Sequence, residues 1–282
     1  MRGLLAELIK AKHHKFLWIL LVVMIFAEVL IIGGMRYWAT HSPDSGTTPD
    51  NEQQQIYAST TFPGVILPTL TFSATFGTIF AAIFASRLGG EDYRFGTAKQ
   101  MISMGVNRAG YVLRKLAASV FISLIFLIGP VITASAFSCV VSFFSRDPLL
   151  TEAITASLTL QAIRGFGIAW LCLGFYSVLA VFLAIATRSS QTATTITILM
   201  ILLEGNIVNS FAERFSLFSK LAPYSIGRCT ILIASLIEEA QDILEVLSRH
   251  DIIKAFATLG VWFALFAVFS VLLFKRQELG ID

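Results

Sequence analysis

Six long apolar runs, separated by polar segments of very different length, organise this sequence. Residues 16–35, 64–86, 116–144, 165–186, 192–211 and 252–274 each match or exceed the roughly 20 apolar residues a helix needs to cross a bilayer core. The pattern predicts an all-α, polytopic membrane protein with six transmembrane helices in a single domain. Trp18 falls near one interface of the first span, and Tyr37 and Trp38 near the other. The run from Leu116 to Phe144 is longer than a straight crossing requires, so its helix is expected to begin before the membrane. A kink is expected at Gly129-Pro130, because proline removes a backbone donor and crowds the preceding turn.

The polar segments are as informative as the spans. In Met1 to Lys15, Leu4, Leu5, Leu8 and Ile9 share one helical face while Arg2, Glu7, Lys10 and Lys12 fall elsewhere, which predicts an amphipathic helix in the interface. Ala39 to Pro63 is polar, with Asp44, Asp50 and Glu52 and no Lys or Arg. It is placed outside, as is the short segment Ser145 to Arg164. Arg188 to Gln191 reads as a tight inner turn. Before the last span, Ile233, Leu236, Ile237, Ala240, Ile243, Leu244 and Leu247 recur at helical spacing against Glu238, Glu239, Asp242 and Glu245. This predicts an amphipathic helix on the outer surface.

The stretch Arg87 to Lys115 stands apart: it carries six Lys/Arg against two acids, Glu91 and Asp92, between two strongly apolar runs. It is read as a cytoplasmic loop with a short helix inside it. Thr97 or a neighbour can cap that helix, Gly105 can stop it near Met104, and Asn107 can cap the next span. With Arg2, Lys10, Lys12, Lys15, Arg188, Lys275 and Arg276, most of the 21 Lys/Arg fall on one side, which puts both termini in the cytoplasm.

Composition changes the picture little. The chain has 282 residues, 56% hydrophobic and 14% charged, where a soluble domain carries roughly 25% charged residues. Cys139, Cys172 and Cys229 show no metal-like pairing, so neither a disulfide nor a metal site is expected. A search for an engine returns nothing: no Gly-Lys dipeptide and hence no phosphate-binding loop, no nucleophile elbow, no zinc-protease motif, and no cluster among His13, His14, His41 and His250. Two acids do lie inside spans, Glu28 in the first and Glu204 in the fifth. A charge at mid-bilayer costs roughly 2.5–3.5 kcal/mol on insertion scales, so both are candidate substrate-path residues, or else are satisfied near a helix end by a neighbour such as Arg164 or Asn206.

Glu91, Gly96-Thr97, Asn107-Arg108, Tyr111 and Lys115 occur in an order that resembles the basic loop of type-2 ABC exporter permeases, a group that includes bacteriocin-immunity and drug exporters. The amphipathic N-terminus, six spans and helical insert before the last span resemble the same family. The resemblance implies that the short helix is a coupling helix docking into a separate ATP-binding-cassette ATPase. Glu91, Gly96, Thr97, Asn107 and Arg108 are then the coupling residues. It implies a working unit of two permeases, identical or sister chains, and two ATPases, with ATP and Mg bound by the ATPases and no cofactor or catalysis in this chain. The cargo it implies is an amphipathic peptide, antibiotic or lipid-like molecule. Two rival readings remain at this point: an ion-coupled secondary transporter using Glu28 and Glu204, and an intramembrane enzyme. No nucleic-acid partner is expected.

Overall fold

The computed structural model describes residues 2–41, 50–145, 156–214, 222–237 and 249–277. These residues form an all-α bundle, and no strand occurs among them. The helices are α1 (Arg2–Lys12), α2 (Lys15–His41), α3 (Asp50–Thr60), α4 (Ile66–Phe72), α5 (Thr78–Arg94), α6 (Thr97–Ser103), α7 (Arg108–Ser145), α8 (Ala156–Thr187), α9 (Ser190–Arg214), α10 (Ile226–Ser235) and α11 (Arg249–Arg276). A π-helical turn, Ser73–Gly77, joins α4 to α5 without breaking the rod. Five helices are long and apolar enough to cross a membrane: Lys15–His41, Ile66–Arg94, Arg108–Phe144, Leu158–Thr187 and Asp251–Arg276. The helix α9 is 25 residues long and begins with the apolar segment Ser190–Glu204.

The axis of the bundle is α8, which packs against α4, α5, α7, α9, α10 and α11. In its apolar stretch 78% of residues are buried, against 28% for α2 and 22% for α11, so those two helices form the outer wall. Trp18 and Tyr37 are both exposed on α2 and nineteen residues apart, about 29 Å along a helix, which matches the thickness of a bilayer core.

Several boundaries differ from those the sequence pattern predicts. The second span does not end at Ser86 but continues to Arg94. Leu88 and Asp92 prolong the buried stripe Ala81, Ala85, and the absence of a side chain at Gly90 lets α5 touch the backbone of Ser190 at the α8–α9 turn. The basic stretch is therefore helix for its first two turns. The third helix begins at Arg108, ahead of the apolar run as expected, and passes through Pro130 as one element. The polar segment after α2 contains a helix, α3, that lies against α2. Half of the short outer segment before span four is the first part of α8.

The amphipathic helix expected over 233–247 falls largely outside the described residues. The described part of that insert is α10, and it sits deep. Tyr176 Oη and Thr230 Oγ1 are 3.0 Å apart, and Tyr176 is eleven residues, about 17 Å, from the end of α8 at Thr187. At its other end the Leu236 carbonyl accepts from Arg164 Nη2 at 3.0 Å, about 35 Å from that same end. So α10 starts at mid-depth among the spans and rises away from the basic-loop end.

Candidate functional site

At the basic-loop end four helices converge on one carboxylate, that of Asp92 on α5, which is 5% exposed. Its Oδ1 accepts from Lys10 Nζ of α1 at 3.2 Å and from Thr97 Oγ1 of α6 at 3.0 Å. Its Oδ2 accepts from the Tyr111 hydroxyl of α7 and lies 2.6 Å from Lys115 Nζ, also of α7. Lys115 is 1% exposed, donates to the Leu88 carbonyl at 2.8 Å and has Glu7 Oε2 at 3.9 Å. Two ammonium groups and two hydroxyl donors around one carboxylate stabilise its charged form and leave no orphan on it. Burial alone would lower the pKa of Lys10, but the charge of Asp92 and the hydrogen bond to it outweigh burial and raise it.

The short helix is set into this node. Its N-cap is Gly96, not Thr97, and the φ of +68° there is one that glycine adopts without strain. Thr97 instead turns its hydroxyl inward to Asp92. At the other end the Gly105 amide donates to the Ile102 carbonyl at 2.9 Å and the Val106 amide to the Met101 carbonyl at 3.2 Å. That is a Schellman stop, with Gly105 at φ +80°. Asn107 Oδ1 then accepts from the Ala109 amide at 3.1 Å, capping α7 as the sequence suggests. Ala98 is buried against the bundle, while Phe95, Met101 and Met104 are exposed.

The last helix is pinned to the same end. Arg108 Nη1 donates to the Lys275 carbonyl at 2.9 Å and to that of Gln277 at 3.3 Å, where free carbonyls attract a cation. Tyr93 Oη donates to Gln277 Oε1 at 2.9 Å, and Gln277 Nε2 donates to the Ile185 carbonyl at 2.8 Å. The Tyr111 ring stacks on Phe274 with centroids 5.2 Å apart.

The sequence-predicted residues therefore divide. Gly96, Thr97, Asn107 and Arg108 lie in or beside the short helix, and Tyr111 and Lys115 meet Thr97 through Asp92. Glu91 does not join them: it pairs with Arg87 and, at 3.3 Å, with His14 Nε2. The acid at the centre is Asp92, which reading the loop as a solvated strip passes over. Extending the apolar stripe of span two by one more turn, Ala81, Ala85, Leu88, Asp92, finds it.

Glu28 and Glu204 are far apart in role. Glu204 Oε1 accepts from Ser225 Oγ and from the Ile226 amide, each at 2.9 Å, so it caps the first turn of α10. Arg164 instead donates to the Leu236 carbonyl. Glu28 is 1% exposed on the inner face of α2, and neither of its oxygens has a hydrogen-bond partner among the described residues.

The sequence matches the profile of a family described as ABC-2 family transporter protein over residues 4–204, from α1 through the apolar part of α9. A search of curated proteins finds no match. The family match runs through α1, the node, the short helix and both glutamate-bearing spans, and on it the chain belongs to the ABC-2 family of transporter proteins.

Proposed function

We propose that this chain is the membrane permease of an exporter driven by a separate ATP-binding-cassette ATPase, and that α6 is the helix the ATPase grips. The observation that carries the reading is the mounting of α6. Both its ends are set by glycine turns, and its base is tied through Thr97 and Asp92 to α1, α5 and α7. Phe95, Met101 and Met104 meanwhile face outward, uncovered by any of the described residues. A push on such a handle reaches three helices at once.

The rest of the proposal follows the family. Two permeases, identical or sister chains, pair with two ATPases, which bind ATP and Mg. The side bearing the node, α6 and both termini is the cytoplasmic one, in keeping with its Lys and Arg. Six spans, α9 included, carry an amphipathic peptide, antibiotic or lipid-like cargo outward. An ion-coupled transporter using both glutamates together fits less well, because Glu204 already caps α10.

The test is affinity purification of tagged protein in mild detergent with mass spectrometry and an ATPase assay. A stoichiometric P-loop ATPase is expected in the wild type and lost in Met104→Glu and Met101→Glu. These exposed positions separate docking from folding better than Arg108→Glu, which also releases the end of α11. A well-folded preparation that transports under an ion gradient with no ATPase would overturn the proposal.

A further inference from the structure

Glu28 sits thirteen residues along α2 from Lys15, about 20 Å into the membrane from the basic-loop end. Its register against the second span is fixed by Met24, whose Cε lies 2.9 Å from where a Cβ would stand on Gly77. The two helices run antiparallel. One turn further along each, Glu28 comes level with Ser73, the first residue of the π-helical turn, and with Thr69 one turn beyond. The Thr69 hydroxyl faces the carboxyl. Glu28, Thr69 and Ser73 are 1%, 2% and 0% exposed, and beyond the approach of Thr69 to the carboxyl, Oε1, Oε2, Thr69 Oγ1 and Ser73 Oγ make no hydrogen bond of ordinary geometry among the described residues.

Four buried oxygens with no well-formed hydrogen bond in one seam contrast with the near-complete pairing of buried polar atoms that folded proteins show. Among the described residues no base faces the carboxyl. On α2 the stripe Glu28, Ile32, Arg36 places that helix's nearest cation two turns away, about 12 Å, with its guanidinium over the Tyr57 ring at 5.2 Å. From α4 and the π-helical turn come only hydroxyls. The facing stretch of α7, Leu116 to Phe144, contains no acidic or basic residue.

We propose that Glu28, Thr69 and Ser73 form an intramembrane site for a single monovalent cation, an alkali-metal ion or a proton. The donor set is oxygen only, which suits a hard cation. One carboxylate charge balances one positive charge and not two. A π-turn is an irregular piece of helix that recurs at functional sites, and here it carries Ser73. The site lies between spans one and two, so relative movement of these helices alters its access. This inference rests on the membrane-spanning reading and not on the ATPase partner.

The test uses the full chain in lipid nanodiscs. Thermal unfolding is followed in sodium, potassium or choline salts at fixed ionic strength, from acidic to alkaline pH, together with infrared difference spectra in the carboxyl region. An alkali ion at the site raises the melting temperature of the wild type relative to choline. A proton gives instead a protonated-carboxyl band and a melting temperature that falls as pH rises. Either signal must disappear in Glu28→Gln and weaken in Thr69→Val and Ser73→Ala. A wild type indifferent to both cation and pH, or a response kept in Glu28→Gln, would sink the proposal. Neither result depends on whether an ATPase co-purifies.

Discussion

Asp92 and Glu28 are both buried carboxylates on long helices of one bundle, and they are handled in opposite ways. Asp92 is surrounded by Lys10, Thr97, Tyr111 and Lys115 and leaves no oxygen idle. Glu28 faces the Thr69 hydroxyl and, among the described residues, no base, and neither of its oxygens makes a well-formed hydrogen bond there. The first is a fastening: its charge is consumed in holding four helices. The second is a carboxyl set among hydroxyl and apolar side chains inside the bundle. Glu204 lies between them, one oxygen engaged by the start of α10 and the other buried without a partner.

Mutations that remove charge without changing shape should pull the two apart. Asp92→Asn leaves buried Lys115 with only the more distant Glu7 as counter-charge, and breaking a buried pair costs about 3–5 kcal/mol. The expected outcome is loss of most folded protein, read as detergent-extracted monodisperse yield. Glu28→Gln should instead keep its yield and unfold no earlier than the wild type in choline salt. Equal behaviour of the two would erase the distinction. Adding Lys115→Met to Asp92→Asn should recover part of the loss, because removing both partners avoids the uncompensated charge; a double mutant as unstable as the single would locate the cost elsewhere.

Smaller changes sharpen the contrast. Glu204→Ala should cost about 1 kcal/mol, the scale of a lost helix cap, and loosen α10 selectively, visible as faster amide exchange at Ile226. Thr97→Val removes one donor from Asp92 and should also cost about 1 kcal/mol, but with a drop in coupled ATPase activity larger than that figure suggests. Lys10→Met is the mildest, at ~0–1 kcal/mol, because Lys10 is half exposed and screened. Its pKa is raised in the folded state, so its contribution is present below the ordinary lysine value and is lost only as pH climbs through the raised one. A denaturation series across neutral pH should therefore show no change attributable to Lys10.

Much of this arrangement was legible in the sequence. The spans follow from apolar length, and the bounds of α6 follow from Gly96, Gly105 and Asn107, because each supplies a local requirement of helix ends. What was hidden depends on tertiary contact. Asp92 and Glu91 are adjacent, and only packing against α1 and α7 decides which is buried. The continuation of α5 through Gly89 and Gly90 looks like a break in the sequence, yet the close approach to α8 and the α8–α9 turn makes glycine favourable there. The mid-depth start of α10 could not be read from Ile226 to Ser235, because a ten-residue, mostly apolar helix fits a surface or an inserted position equally well.

The length of α7 has a mechanical consequence. The helix runs 38 residues, about 57 Å, from the socket of α6 to the other end of the bundle as one continuous element, with a backbone donor missing at Pro130. Its near end is bolted to the node by Tyr111 and Lys115 and to the final span by Arg108. A tilt of about 5° at that near end carries the far end sideways by about 5 Å over such a length. Under the proposed coupling such a helix would act as a lever, turning a small stroke at α6 into a larger displacement at the other end of the bundle.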